Sequence, residues 1–197
     1  MARTPDPAVR VALLEAAAQL LADEGLDALS LRKVAGQVGA STMAVYTHFG
    51  GKDELVAEVV KEAFRRLHVE LTSVPRTDDV LADLVATGVA YRRNALANAP
   101  LYRVMFGLNP LALTDPAAHQ GETDVHIGLD AFGVLVGAVA RAVEAGALHG
   151  EPPQLALAFW AAAHGAVSLE LAGFLGEAGQ ATFDAATGAV FLAATRA

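Results

Sequence analysis

The sequence predicts an all-α protein, with an N-terminal three-helix unit of helix-turn-helix geometry and a C-terminal helical domain. Three observations predict it. Apolar residues recur at helical spacing along the chain, and no segment shows sustained alternation bounded by hairpin turns. Two serine N-cap positions, Ser30 and Ser41, open closely spaced short helices in the stretch that ends "GASTMAVYTHFGGK". The length, 197 residues with 54% hydrophobic and no cysteine, allows a buried core and excludes a disulfide scaffold and thiolate chemistry.

The elements follow in order. The first helix runs from about Pro7 to Glu24, with Leu13, Ala17 and Leu20 on one face, and Gly25 stops it. In the second, Leu31, Val34, Ala35 and Val38 fall at i, i+3, i+4 and i+7 behind Ser30. Gly39 ends it, and Ala40 alone separates it from Ser41, so the third helix, Thr42 to about Phe49, must cross it steeply. Gly50-Gly51 breaks the chain again. Asp53 and Glu54 then sit in the first turn of a fourth helix, where the dipole favours acids, and its stripe of Leu55, Val59, Ala63, Leu67 and Leu71 ends before Pro75. Val80, Leu84 and Tyr91 mark a fifth helix to about Asn98, and Pro100 opens a short sixth, "APLYRVMFG". Residues 107–123 read as a long loop. Val125, Leu129, Phe132, Val136, Val139 and Val143 give another amphipathic helix; Pro152-Pro153 starts one to about Gly176; a last one spans Gln180 to Thr195. The expected division is 1–52 and 53–197.

Charge distinguishes the N-terminal unit. The chain carries −8, yet Ala28–Lys52 holds Arg32, Lys33 and Lys52 and no acid, so the other residues sum to −11. In the third helix, Val45 and Phe49 are four apart and can pack inward. Thr42, Met43, Ala44, Tyr46, Thr47 and His48 are left to face outward. A helix entering the major groove needs small or hydrogen-bonding side chains at its N-terminal turn, and surrounding donors for phosphate. Ser41, Thr42, Tyr46, His48 and Lys52 supply such donors, Ser30 and Arg32 are further candidates for DNA contact, and a carboxylate among them would face the phosphates. Singly, each has a plainer reading: Ser41 as an N-cap only, Tyr46 as a half-buried aromatic, Lys52 as a solvated charge. Their joint arrangement carries the inference.

Those residues resemble the TetR family of bacterial transcriptional regulators over Val9 to about Val60: "LSLRKVA" at 29–35, Gly39, Ser41, Tyr46, His48-Phe49 and Lys52-Asp53-Glu54-Leu55. Met43 and Ala44 depart from the small or hydroxyl residues common there, and Gly50-Gly51 replaces a side-chain N-cap. Trp160, His164 and Gly165 are similar to a C-terminal domain type within the family. The resemblance implies an all-helical homodimer built from its last two long helices, and the absence of cysteine is compatible with a reducing, cytoplasmic setting. It also implies a pocket for a small-molecule effector, a double-stranded DNA operator as partner, and no cofactor.

From the residues, Ala161 and Gly165 would let a second copy approach closely, and Leu171, Phe174, Phe183 and Phe191 offer larger knobs, although an internal core is the other use for them. Tyr91, Tyr102, Met105, Phe106, Phe132, Val136, Trp160 and His164 mix aromatic walls with polar tips, as ligand sites do, and Arg92 could orient a polar group. The effector itself is not legible. Leu155–Gly176 has the length of a membrane span, but His164 and Glu170 inside it and the absence of flanking cations favour a buried helix. The N-terminus lacks the basic-then-apolar order of a signal peptide. Nucleophile-elbow, phosphate-loop and paired-histidine metal motifs are missing, so no enzyme is expected. The alternative, a helical enzyme or metal protein, would use the C-terminal pocket. His119, Glu122, Asp124 and His126 form the one loose metal-like grouping, with spacing too irregular to specify a site.

Overall fold

The computed structural model describes residues 6–107 and 123–195, and for 123–129 the backbone alone. Among these residues every regular element is helical. The helices are α1 (Pro7–Glu24), α2 (Leu31–Gln37), α3 (Thr42–Phe49), α4 (Lys52–Thr72), α5 (Val80–Ala97), α6 (Ala99–Gly107), α7 (Thr123–Glu144), α8 (Pro152–Leu171) and α9 (Gly179–Ala194), with a 3-10 turn at Gly176–Ala178. Of the loop expected over 107–123, the ends Gly107 and Thr123 are helical and residues 108–122 lie outside the described residues.

Two compact units emerge. The first takes α1, α2, α3, α4 as far as Phe64, and α6. The second takes α4 from Arg65, α5, α7 from His126, α8 and α9. The first therefore extends past residue 52, for a packing reason. Leu55, Val56, Val59, Val60 and Ala63 of α4 are buried, and α6 packs on α1 with Leu101, Val104 and Met105 buried.

Within the first unit, α1 packs against α2, α3 and α6, and α2 against α3. Leu13, Ala17, Val34, Ala35, Val45 and Phe49 supply the buried faces. Two caps set the ends of α2. Ser30 Oγ accepts from Lys33 N at 3.2 Å. At the other end Gly39 adopts φ +67, which lets Gly39 N reach Gly36 O and Ala40 N reach Ala35 O at 2.9 Å. That left-handed residue closes the last carbonyls and turns the chain toward α3.

In the second unit α8 packs against α9 and α5. Leu84, Val139, Ala142, Leu148, Ala156, Phe159 and Ala194 form a core shared by α5, α7, α8, α9 and the turn before α8. The helix expected to reach Gly176 stops at Leu171. Gly173 adopts φ +81, and Phe174 N bonds Leu169 O at 3.1 Å, so the backbone terminates five residues early. Glu170, the acid inside that apolar segment, is not orphaned. It takes a two-pronged bond from Arg92, with Nε to Oε2 at 2.9 Å and Nη2 to Oε1 at 2.5 Å, while Arg92 Nη1 donates to Gln180 Oε1 at 2.7 Å. One guanidinium thus ties α5, α8 and α9. A Cβ on Gly179, the first residue of α9, would sit 2.3 Å from Glu170 Oε1. The carboxylate therefore lies against the amino end of α9, where the helix dipole favours an anion.

Glu170→Ala leaves the Arg92 charge without its partner in a largely desolvated site. It is expected to cost somewhat less than the about 3–5 kcal/mol typical of breaking a fully buried pair, read as a lower urea midpoint with an unchanged m-value.

Candidate nucleic-acid interface and effector region

The presentation of α3 begins with its inward face. Val45 is fully buried and Phe49 is 7% exposed. Arg10 of α1 stands 5.1 Å from the centre of the Phe49 ring, and the same side chain pairs with Glu58 of α4. The third helix is thus clamped by a hydrophobic contact and a cation over an aromatic face. With that face down, Met43 (70% exposed), Tyr46 (51%) and Thr47 point to solvent. Ser41 Oγ accepts from Ala44 N at 3.2 Å, as Ser30 does from Lys33 N. Capping uses an oxygen lone pair and leaves each exposed hydroxyl its proton to donate.

The expected donors behave unequally. Arg32 is exposed on the first turn of α2. Lys33 is not a free charge: Nζ lies 2.6 Å from Glu24 Oε2, so an acid from outside the acid-free stretch folds onto it. Lys52 Nζ donates to Leu26 O at 2.9 Å, which holds the ammonium beside the α1–α2 turn with two protons to spare. Thr47 Oγ1 donates to Met43 O at 2.8 Å, so it offers only an acceptor. Thr42, Ala44 and His48 are half-buried at the edges of the face.

The eight residues expected to line a pocket do not gather in one unit. Tyr102, Met105 and Phe106 lie on α6 in the first, where Tyr102 and Phe106 meet edge-to-face at 4.9 Å and Met105 is buried. Tyr91, Phe132, Val136, Trp160 and His164 belong to the second. There, Tyr91 Oη is 3.3 Å from His164 Nδ1, Ser168 Oγ is 3.4 Å from Nε2, and the Trp160 ring lies 5.7 Å from Phe132 and 6.3 Å from His164. Desolvation pushes the His164 pKa below the usual 6.5, so the neutral imidazole is favoured. Arg92, expected to orient a ligand, is committed to Glu170 and Gln180 instead.

A cavity of about 300 Å³ opens elsewhere in the second unit, among the end of α4, the turn after it, α5 and α7. Leu71, Val74, Pro75, Val134 and Ala138 give it apolar walls, and Thr72, Arg76, Asp83, Thr87 and Arg141 give it polar points. Asp83, 7% exposed, is the hub. It accepts from Thr77 N, Thr77 Oγ1 and Arg141 Nη1, each at 2.8 Å. Those Thr77 bonds, backbone first, and then the Arg141 guanidinium hold its carboxyl below the usual carboxylate range. None of these residues was expected at a site; Leu71 and Pro75 were read only as the end of the fourth helix. A signal existed: Val80, Asp83, Leu84, Thr87 and Tyr91 share the inward stripe of α5, and an acid on such a stripe requires partners.

Of the expected dimer residues, Ala161, Gly165 and Phe174 (78%) are exposed and Leu171 is half-buried. Phe183 is 3% exposed, with its ring against Gly88, and Phe191 stacks edge-on against Phe159 at 4.7 Å; both cover area within their own protomer. Of the loose metal-like grouping, His119 and Glu122 lie outside the described residues, and Asp124 and His126 are described by backbone only. Among the described residues no group of three or more His, Asp or Glu is arranged to hold a metal, and no helix is long and apolar enough to cross a membrane.

The lowered His164 value has a signed consequence. The folded state binds its proton less readily than the unfolded state, so stability is fullest above about pH 6.5 and declines as pH falls toward the folded value. The Tm of the wild type should therefore fall through this window more steeply than that of His164→Gln, measured by circular dichroism across pH 7.5 to 5 (about the range in which imidazoles titrate).

Comparison with known proteins places this geometry. Residues 13–59 match the family described as "Bacterial regulatory proteins, tetR family", and residues 84–190, more than half of the chain, match "Tetracyclin repressor-like, C-terminal domain". The chain is 32% identical over 112 residues to the tetracycline repressor protein class A from transposon 1721 of Escherichia coli, covering 56% of this chain and 48% of that protein. It is 34% identical over 83 residues to the HTH-type nicotine-responsive transcriptional repressor HdnoR of Paenarthrobacter nicotinovorans, covering 42% and 40%. The chain thus spans less than half the length of these curated relatives. A solved structure of a protein with unknown function from Rhodococcus sp. RHA1 covers 100% of both chains at 27% identity with a TM-score of 0.78. The TetR family transcriptional regulator PfmR from Thermus thermophilus shares the fold at 21% identity, with a TM-score of 0.74 over 91% of this chain and 95% of that one. With both matched regions in chain order and a whole-length structural likeness, the chain belongs to the TetR family of bacterial transcriptional regulators.

Proposed function

We propose that the protein is a ligand-responsive transcriptional repressor, binding a near-palindromic operator as a homodimer and released by a small-molecule effector. The observation that carries this reading is the outward face of α3: capped by Ser41, clamped from beneath through Phe49 and Arg10, and without a carboxylate of its own. DNA binding is assigned to 1–52, and effector binding and dimerisation to 53–197. In a dimer, two such helices would enter successive major grooves about 34–36 Å apart. Ser30, Arg32, Ser41 and Lys52 would hold phosphates while Met43, Tyr46 and Thr47 face base edges. The overall negative charge does not oppose this, because steering depends on the local field at the approaching face.

Support for dimerisation comes from faces that the chain leaves uncovered. Along α8, Leu157, Ala161, Gly165 and Leu169 repeat every four residues and are all exposed. Among the described residues a Cβ on Gly165 would meet nothing within 4 Å, so packing among them gives no reason for glycine in mid-helix. Close approach of a second helix does. On α9, Ala181, Ala185 and Ala189 repeat at the same spacing and are exposed, as is Leu192. A twofold axis would cover both stripes at once. The effector is assigned to the second unit, where α5 and α7 line the cavity and also carry part of the Tyr91–His164–Trp160–Phe132 cluster. An effector that prefers a dimer with mis-spaced third helices would shift the population away from DNA; α4, whose residues belong to both units, is the element assigned to transmit it. Operation in the cytoplasm, where DNA is accessible, is part of the same reading.

The full-length protein is expected to enrich a discrete, near-palindromic sequence from a random duplex pool; failure to enrich any sequence would contradict the proposal. Lys52→Ala is expected to weaken that operator and random duplex alike and to reduce the salt slope by about one unit for each phosphate that a protomer no longer touches. A change in preferred sequence with unchanged salt dependence would remove Lys52 from phosphate contact.

A further inference from the structure

The composition of α3 limits how it can read bases. Its eight residues, "TMAVYTHF", include no Arg, Lys, Asn, Gln, Asp or Glu. Guanine is commonly read by a bidentate Arg or Lys, adenine by a bidentate Asn or Gln, and cytosine by an accepting carboxylate. None of those contacts is available from this helix. Arg32 and Gln37 sit on α2, which in this geometry crosses the DNA backbone, and Lys52 is anchored to Leu26 O.

What its exposed face offers is largely apolar, with Thr42 and His48 half-buried at the edges. Met43, Tyr46 and Thr47 fall at i, i+3 and i+4, so they share one face. Met43 is 70% exposed in the N-terminal turn, the part of such a helix that meets base edges. The Thr47 proton is already given to Met43 O, and the Ala44 side chain is a single methyl. The face is therefore a thioether, small methyls and one phenol. A flexible, polarisable methionine adapts its shape to an apolar feature, and the apolar feature of the major groove is the 5-methyl of thymine. Resting on the DNA-binding reading above, we propose that α3 recognises its half-site chiefly through thymine 5-methyl groups, with Met43 as the principal contact.

The test uses the full-length protein and the duplex enriched from a random pool. Each half-site thymine is replaced in turn by deoxyuridine, which keeps the base pair and removes the methyl. At one or two positions affinity should drop about fourfold, the value of one buried methyl, and about 15-fold when both half-sites are changed. Met43→Ala, at an exposed position, should keep the wild-type Tm, bind the thymine duplex more weakly, and lose the thymine-over-uracil preference at that position. Enriched half-sites without thymine, uracil substitutions without effect, or a Met43→Ala protein that keeps the full preference everywhere would each overturn the proposal. Enrichment of no sequence at all would instead overturn the DNA-binding reading on which it rests.

Discussion

An eight-residue helix cannot stand by itself in water. Isolated helices shorter than roughly 12–15 residues are marginal even with favourable sequences, so α3 exists because something beneath it is buried. Val45 and Phe49 are that something, and each is worth about 1.5–3 kcal/mol when removed from water. They occupy the inward positions of two successive turns. Their burial fixes the rotation of the helix, and the rotation decides which side chains face outward. Arg10, lying over the Phe49 ring and paired with Glu58, adds a polar clasp on the same contact. The exposure of Met43 and Tyr46 is thus a consequence of packing.

The charge pattern fits the proposed reading. A face that meets phosphates and base edges would exclude carboxylates, and the stretch from Ala28 to Lys52 contains none. The exclusion is local. Glu24 reaches Lys33 from the neighbouring helix, and Asp53 and Glu54 follow Lys52 on the exposed first turn of α4. The serine caps resolve a second requirement. Each satisfies a helix amide with its oxygen and still presents a hydroxyl proton, so capping leaves the proton for the phosphate contact proposed above.

Most of the helical layout was legible in the sequence because its signals are local. Ser30, Ser41, Gly25 and Gly39 act on backbone groups within a few residues: Gly25 ends α1, Ser30 and Gly39 bound α2, and Ser41 opens α3. The end of α8 was missed because Gly173 terminates the helix while the apolar run continues to Leu175. What could not be read were pairings across the chain. Arg10 with Glu58, Asp83 with Arg141, and Arg92 with Glu170 are separated by 48, 58 and 78 residues. Periodicity says that Asp83 faces inward but not which cation meets it. For the same reason the sequence left Arg92 open to a ligand role and Phe183 open to dimer or core, and it did not name the partner that each has inside the second unit.

The central claim is that the outer face of α3 meets duplex DNA, and oxidation of methionine tests it most directly. Met43 is 70% exposed while Met105 is 1% exposed, so in the free protein Met43 should convert to the sulfoxide far faster, with Met105 as an internal reference. Under saturating enriched duplex, Met43 oxidation, followed by peptide mass spectrometry during a brief peroxide pulse, should slow several-fold and recover when salt releases the DNA. Equal Met43 oxidation rates in free and duplex-saturated protein would contradict the account.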